Sequence, residues 1–387
     1  MIRTESTYNK LLKYCYLALL FFLPISLFID NLALGLLIIF SIINNNYKWF
    51  VFLSSLAPFF FYTIFSGLAI GVFNDEMSFY IKLLPLVLIP LATSNIDRDT
   101  TEKGYLFLLL GVCLAQLVAT YGIIDYYYFT EGKKVALRSY ARINDILNFE
   151  RPYLGFLSAI QIIIAGNLFF ASKRKIYFFP ILVSIVLIIV ISARLAILIT
   201  VICCAIYMIL KIKDNTLRWI IGVGVPLLLT VLIMLSDLAL KHRFIQIKND
   251  SRTIIWEGAL QQYKNSPSKS FGFSSQQKVD ENQNAYYSES ANFEYPPDKS
   301  RFLEKKYNTH NQYLNELLRG GYFGLLLLLM PFIYVLLRGR HKENPLGLSL
   351  VIALAMFLFV ENVLERQMGV YLTAIILANA IKYRDET

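Results

Sequence analysis

Long apolar runs recur along almost the whole chain, and they constrain its fold more than any other feature. A helix needs roughly 20 apolar residues to cross the hydrocarbon core of a bilayer. Because a chain inside lipid must satisfy its own backbone hydrogen bonds, helices are the expected spanning elements. Of the 387 residues, 56% are hydrophobic and 17% are charged. The sequence therefore predicts an all-α polytopic membrane protein rather than several soluble domains.

Hydropathy predicts about twelve transmembrane helices. The candidate spans are 12–29, 31–45, 48–72, 78–94, 104–129, 152–171, 175–192, 194–212, 217–236, 320–337, 345–362 and 367–383. Residues 1–236 thus hold about nine spans, residues 237–319 form a large loop that contains helices, and residues 320–387 hold about three spans. No small-residue cleavage site follows the first run, so we interpret it as a retained helix.

The distribution of Lys and Arg sets the expected orientation, since cytoplasmic loops carry an excess of both. With the N-terminus inside, every inside loop is basic and the C-terminus is also cytoplasmic. The cations of these loops are Lys48, Arg98, Lys103, Lys173, Arg174, Lys175, Lys211, Lys213, Arg218, Arg338, Arg340, Lys342, Lys382 and Arg384. This placement explains much of the net charge of +10, so we do not interpret that charge as a nucleic-acid signal.

Several classes of site lack support in the sequence. The chain has no P-loop, no dinucleotide-binding glycine pattern and no zinc-ligand spacing. The cysteines lie in apolar runs without a histidine at ligand spacing: they are Cys15, Cys113, Cys203 and Cys204. We therefore expect no cofactor and no metal. One alternative stays open, in which Asp30, Asp75 and Glu76 on the outer side bind a divalent cation together with a diphosphate.

The stretch THNQYLNELLRGGYFG, at 309–324, indicates a helix that runs toward the membrane. Thr309 and Gln312 have capping-box spacing, and Gly320 with Gly321 predicts a C-cap or a bend. His310 would then lie in the first helical turn, where the helix dipole favours a neutral imidazole. A neutral imidazole can act as a general base. The alternative is a loop histidine that makes an ordinary capping contact.

Two arginines on the same predicted side could bind an anion. Arg194, in VISARLAILIT, lies between two apolar runs, where a cation is costly unless it faces water or an anion. Arg252, in DSRTIIWEGALQQY, would begin an amphipathic helix that carries Trp256 at the membrane interface. Its guanidinium would add to the free N–H groups of the helix start. The alternatives are a snorkelling arginine at 194 and a solvated loop arginine at 252.

Together these residues suggest two separate roles in one transfer reaction, anion binding and proton acceptance. Arginines bind phosphate oxygens bidentately, and a histidine can take the proton from an acceptor hydroxyl. A lipid diphosphate is already a good leaving group, so such a transfer needs no nucleotide.

The order of these segments resembles the O-antigen ligase / O-antigen polymerase superfamily. The pieces that carry the resemblance are ISARLA, SRTIIWEGAL, FGFSS and HNQYLNELLRGGYFG, followed by FLFVENVLERQMGVYLTAII, and RPYLGFL at 151–157 is similar to a segment of some members. The resemblance covers about 190–370, whereas the first 150 residues match only in being helical and apolar.

The resemblance implies a GT-C-like, metal-independent, inverting glycosyltransferase of the bacterial inner membrane. It would transfer a glycan from an undecaprenyl diphosphate carrier to a lipid A-core or similar acceptor hydroxyl on the periplasmic face. Carried over, Arg194 and Arg252 would bind the donor diphosphate and His310 would activate the acceptor. Additional anion or substrate contacts would come from Arg138, Arg142, Arg151, Trp256, Asn311 and Glu361. Its partners would be the two lipid substrates and membrane lipids.

Rival interpretations stay open at this point. A polymerase of the same superfamily shares the donor chemistry, as does a ligase that glycosylates protein. A flippase or transporter belongs to another class and would favour an ion-coupled acidic pair and an inverted repeat, neither of which we find.

Overall fold

The computed structural model describes residues 7–44, 47–128, 143–212, 216, 251–289, 296–338 and 343–382. Within these ranges the chain forms helices and connecting turns, without a β-strand. The all-α prediction is therefore confirmed for the described part of the chain.

The α-helices are numbered in chain order through the described ranges. They are α1 (Thr7–Phe22), α2 (Leu27–Asn44), α3 (Trp49–Ser54), α4 (Ala57–Ala69), α5 (Met77–Leu83), α6 (Pro85–Thr93), α7 (Arg98–Tyr128), α8 (Ile143–Leu147), α9 (Arg151–Ser172), α10 (Phe178–Val190), α11 (Arg194–Lys211), α12 (Ser251–Lys264), α13 (Gln276–Glu289), α14 (Pro296–Lys305), α15 (Gln312–Arg338), α16 (Pro345–Leu358) and α17 (Gln367–Lys382). Short 3₁₀ turns span Lys175–Tyr177 and Val363–Glu365.

Among the described residues, 5 helices are long and apolar enough to cross a membrane, namely α2, α7, α9, α11 and α15. Shorter apolar stretches accompany them at Ala57–Ala69, Met77–Thr93, Lys175–Val190, Pro345–Leu358 and Gln367–Lys382. The count of twelve spans and the periplasmic location of the large loop stay predictions. The candidate span at 217–236 lies outside the described residues.

Two of the predicted spans are each divided into two helices. Between α3 and α4, the Ser55 hydroxyl donates to the Phe52 carbonyl and accepts from the Ala57 amide, in place of helical bonds. Between α5 and α6, Pro85 has no amide hydrogen to continue the preceding helix. Local side-chain chemistry thus breaks segments that hydropathy alone treats as continuous.

Helices α9, α16 and α17 form the centre of the bundle and are buried over most of their length. The Phe156 ring of α9 stacks on Phe357 of α16 with centroids 4.1 Å apart. A helix that is apolar on all sides fits such a central position. The ends of these three helices therefore fix the positions of the turns that they carry.

Helices α12–α14 form a unit that packs on the first half of α15. Ile255 and Ala259 of α12 are buried in small clusters with Tyr287, Phe302 and Leu318. The apolar side that the sequence predicts for this helix thus contacts other parts of the protein at Ile255 and Ala259.

The carboxylate of Glu76, just before α5, bonds the unit formed by α12–α14 to the rest of the protein. The Oε1 atom of buried Glu76 accepts from the Ser275 hydroxyl at 2.6 Å and from the Gln277 amide at 2.9 Å, at the start of α13. This use of Glu76 favours a structural role over the cation-binding alternative.

Helix α15 bends at Gly321, whose φ of 60° and ψ of −157° are non-helical. The turn at 269–274 supplies backbone partners at the bend: the Tyr322 amide donates to the Lys269 carbonyl at 3.1 Å, and the Phe273 amide donates to the Leu318 carbonyl at 2.9 Å. The Tyr62 hydroxyl donates to the Gly320 carbonyl at 2.6 Å. The bend predicted at this glycine pair is confirmed.

A buried ion pair lies just before the bend. Arg319 and Glu316 are each 1% exposed, and the Arg319 Nη2 also donates to the Thr63 hydroxyl at 2.9 Å. The guanidinium faces the rings of Phe59 and Phe79 at 5.4 and 5.3 Å. The pairing and the donated hydrogen bond offset the cost of burying these charges.

We expect Gly321→Ala to destabilise the protein. A methyl group there would meet the Ser270 carbonyl atoms at 2.4 Å, and its backbone conformation costs a non-glycine residue about 1–3 kcal/mol. The apparent melting temperature in detergent should fall. Gly166→Ala is the control, because a methyl group there meets nothing within 4 Å. Equal melting temperatures for the two variants would contradict the role of the bend.

Candidate active site

Asn311 begins the functional segment by capping α15. Its Oδ1 accepts from the Tyr313 amide at 3.0 Å and from the Leu314 amide at 3.1 Å. The Thr309 hydroxyl instead donates to the Asn362 side chain at 2.9 Å. The predicted capping box is therefore wrong, and His310 precedes the helix rather than lying in its first turn. An asparagine immediately before the helix is an effective N-cap and takes the place of the threonine.

His310 is held in a left-handed backbone conformation, with φ of 45°. Its amide donates to the Asn308 side chain at 3.2 Å. Its Nδ1 lies 3.3 Å from Oε2 of Glu361, and its side chain is 30% exposed. An unfavourable backbone conformation fixed by neighbouring contacts is typical of functional positions. The imidazole is thus oriented by a carboxylate while part of the ring stays open to a ligand.

Arg252, the second residue of α12, reaches the same carboxylate. Its Nη2 lies 3.4 Å from Oε1 of Glu361 and donates to the Val360 carbonyl at 3.3 Å. The side chain of Glu361 is 14% exposed and that of Arg252 is 33% exposed. A single carboxylate therefore contacts the guanidinium through one oxygen and the imidazole through the other.

Trp256 lies one turn further along α12. Its indole N–H donates to the Thr309 carbonyl at 3.1 Å, and its ring packs against Phe359 with centroids 5.5 Å apart. The start of α12 is thereby joined to the loop before α15 and to the end of α16.

The segment between α16 and α17 forms hydrogen bonds to the loop that carries His310. Asn362 Oδ1 accepts from the Asn311 amide at 2.8 Å, and its Nδ2 donates to Glu365 at 2.6 Å. The Asn308 side chain donates to the other Glu365 oxygen, also at 2.6 Å. Burial raises the pKa of the Glu365 carboxyl, and the hydrogen bonds from Asn362 and Asn308 oppose that shift. These contacts fix the loop that carries His310.

The other candidate arginines have different positions. Arg194 begins α11 after a tight turn, and that turn packs on Gly155, near the start of α9. Arg151 is the first residue of α9. The Tyr153 hydroxyl, in that first turn, donates to the Val363 carbonyl at 3.4 Å. Arg151 and Arg194 thus begin helices at the same end of the bundle as His310.

Sequence reasoning selected Arg252, His310, Glu361, Trp256 and Asn311, and the structure brings these five into one constellation. Arg138 and Arg142 lie outside the described residues. Sequence reasoning missed the supporting residues Asn308 and Glu365. The available signal was the polar run between two apolar helices, ENVLER at 361–366.

Chemically, the constellation combines an anion-binding guanidinium with an imidazole whose Nδ1 is next to a carboxylate. Such a carboxylate fixes the ring orientation and stabilises the imidazolium that forms on proton transfer. Among the described residues, no group of three His, Cys, Asp or Glu side chains could hold a metal ion.

A family model described as O-antigen ligase matches residues 179–329, a range that includes Arg194, Arg252 and His310. No curated protein matches the chain. Together with the membrane-length helices, the family match indicates a bacterial membrane protein. The family match thus supports a relationship between residues 179–329 and the O-antigen ligase / O-antigen polymerase superfamily.

Proposed function

We propose that the protein is an O-antigen ligase-type glycosyltransferase of the bacterial inner membrane. It moves a glycan from undecaprenyl diphosphate to an acceptor hydroxyl, lipid A-core or similar, on the periplasmic face, with inversion and without a metal. The observation that carries the proposal is the placement of His310 and Arg252 on the two oxygens of Glu361. That arrangement sets a proton acceptor beside a cation, which is what transfer from a diphosphate requires.

In this mechanism His310 is the general base. The Glu361 contact favours the tautomer with a proton on Nδ1, so Nε2 is the nitrogen that accepts the proton of the acceptor hydroxyl. The hydroxyl oxygen bonds to the anomeric carbon as the bond from that carbon to the diphosphate oxygen breaks. Glu361 is a positioning residue that also stabilises the imidazolium.

Arg252 and Arg194 stabilise the departing diphosphate. Negative charge grows on the leaving oxygen during the reaction, and a cation fixed beside it lowers the barrier. Arg252 lies in the first turn of a helix of 14 residues, whose free N–H groups also favour an anion. Arg151, with Arg138 and Arg142, would add positive charge for the same anion.

A second candidate is an O-antigen polymerase, which joins one lipid-linked glycan to another. Both activities would use the same donor chemistry, so the segments that carry Arg194, Arg252 and His310 do not separate them. A gene deletion complemented by wild type or His310→Ala distinguishes the two. Long glycans that accumulate on the carrier and vanish from the surface glycolipid indicate a ligase. Single repeats that still reach the surface without long chains indicate a polymerase.

A flippase is the candidate from another class. It would move the lipid-linked glycan without forming a bond to an acceptor, so it has no need of a general base. Full complementation by His310→Ala would favour it. A strong loss of transfer in a chelator would instead favour a metal-dependent enzyme.

We expect His310→Ala to lower kcat by about 100-fold or more, because a general base contributes about that much to a transfer. Glu361→Gln keeps the shape but removes the charge, and mispositioning of the imidazole should lower kcat by up to about 100-fold. KM for the acceptor should change little, and Glu361→Asp should recover part of the rate. These values are measured by transfer assays on purified protein.

The control is Glu281→Gln, which alters an exposed carboxylate on α13. A near wild-type kcat for Glu361→Gln would contradict the positioning role of Glu361. A near wild-type kcat for His310→Ala would contradict the assignment of His310 as the general base.

The Glu365 carboxyl, which accepts a hydrogen bond from the loop that carries His310, should make the stability of the protein depend on pH. Because burial raises the pKa of Glu365 above its ordinary value of 4.5, the unfolded chain loses this proton before the folded chain as pH rises. Stability therefore falls with increasing pH from 4.5 up to the folded pKa. Glu365→Gln has no such proton, so its melting temperature should fall less across this window. Parallel curves for the variant and wild type would contradict the assignment.

A further inference from the structure

Two cavities that share residues lie next to the segment that supports His310. The first has a volume of about 380 Å³ and is lined by the turn between α1 and α2, by Phe149 and by residues 365–368. The second has a volume of about 560 Å³ and lies between α2, the α5–α6 pair and α17. Lys82 and Gln367 line both. The two cavities therefore adjoin at Lys82 and Gln367, and together they are called the groove.

Lys82 is an unusual residue to find there. It is exposed in the last turn of α5, and it has no carboxylate partner among the described residues. The same helix begins next to Glu76, which is bonded to the unit formed by α12–α14. Lys82 thus lies near the end of the bundle that carries the candidate site. On the predicted orientation this is the outer side, where a membrane protein has no general excess of lysine.

The walls of the second cavity are mainly apolar and include Leu34, Ile38, Leu84 and Leu88. Gly35 also lines it, and a methyl group added there would meet nothing within 4 Å. At the rim, Asn31 accepts hydrogen bonds from Gln367 at 2.5 Å and Tyr371 at 2.6 Å. An apolar channel with a cation at its head fits a hydrocarbon chain that carries an anionic headgroup.

The groove is adjacent to the candidate site, but its lining does not include Arg252, His310 or Glu361. Glu365 lines the first cavity and also accepts from Asn308, two residues before His310. Arg252 contacts the same segment through Val360 and Glu361. A transferase binds two substrates, and the proposed function places the donor diphosphate beside Arg252.

We propose that this groove binds the lipid acceptor. Lys82 pairs with a phosphate on the acceptor headgroup, and a hydrocarbon chain lies along α2 and α6 beside Gly35. Glu150 and Arg366 also line the first cavity, but they form an exposed ion pair with each other at 3.3 Å, so Lys82 is the cation assigned to the headgroup. This assignment rests on the proposed function, since it supplies the second substrate of that reaction.

The test uses two variants of the full-length protein in nanodiscs. Lys82→Glu reverses the charge of the side chain that faces the headgroup, and Gly35→Phe fills the apolar cavity. Their controls are Lys175→Glu, an exposed lysine before α10, and Gly166→Phe, a half-buried glycine of α9 with equal free space. KM is measured separately for acceptor and donor, and retention of the acceptor lipid is measured by native mass spectrometry.

We expect both groove variants to raise KM for the acceptor by about 10-fold or more, the effect of losing roughly one good interaction. KM for the donor and kcat at saturation should stay at the wild-type values, and the acceptor lipid should no longer be retained. The controls should match wild type.

Unchanged KM for the acceptor in both variants would overturn the proposal. A rise confined to KM for the donor would also overturn it and place the donor lipid in the groove. Loss of a bulk phospholipid without any change in KM would assign a structural lipid instead. If wild type catalyses no transfer, the proposed function fails by itself, and acceptor retention in the mass spectrum still decides whether the groove binds that lipid.

Discussion

The candidate site depends on one carboxylate that has two partners. Glu361 contacts Arg252 and His310, which belong to segments about 50–110 residues away in sequence. Its side chain is 14% exposed, so each contact is partly shielded from water and is stronger than an equivalent surface contact. The interaction requires the end of α16, the start of α12 and the loop before α15 to meet at one place.

Several hydrogen bonds and one helix bend hold these three segments in place. Asn362 and Glu365 bond the loop on both sides of His310, and Asn311 fixes where α15 starts. Farther along α15, the bend at Gly321 is matched by the turn at 269–274, which connects α12 to α13. Functional groups are positioned accurately when rigid elements and their own supporting bonds hold them. Here the support comes from the segment between α16 and α17 and from Asn311 at the start of α15.

The segment between α16 and α17 also organises the surroundings of the site. On one side it carries the carboxylate for Arg252 and His310, and on the other it lines the groove that contains Lys82. The turn that carries Arg194 packs on α9, whose first turn is bonded to Val363. Protein groups able to bind anions are therefore gathered at one end of a largely apolar bundle.

The sequence by itself determined the helical class, the positions of most apolar helices and the bend at Gly321. These features follow from local composition, since a run of apolar residues or a glycine pair acts over a few residues. Arg252 and His310 were selected as candidates from their local segments, and Glu361 only through the family resemblance. Only the tertiary structure decided that Asn311 rather than Thr309 caps α15, because Asn362 draws the threonine hydroxyl away. It also decided the supporting role of Glu365 and the position of Lys82 in the groove. Those roles depend on contacts between segments far apart in the chain, and no local pattern in the sequence specifies them.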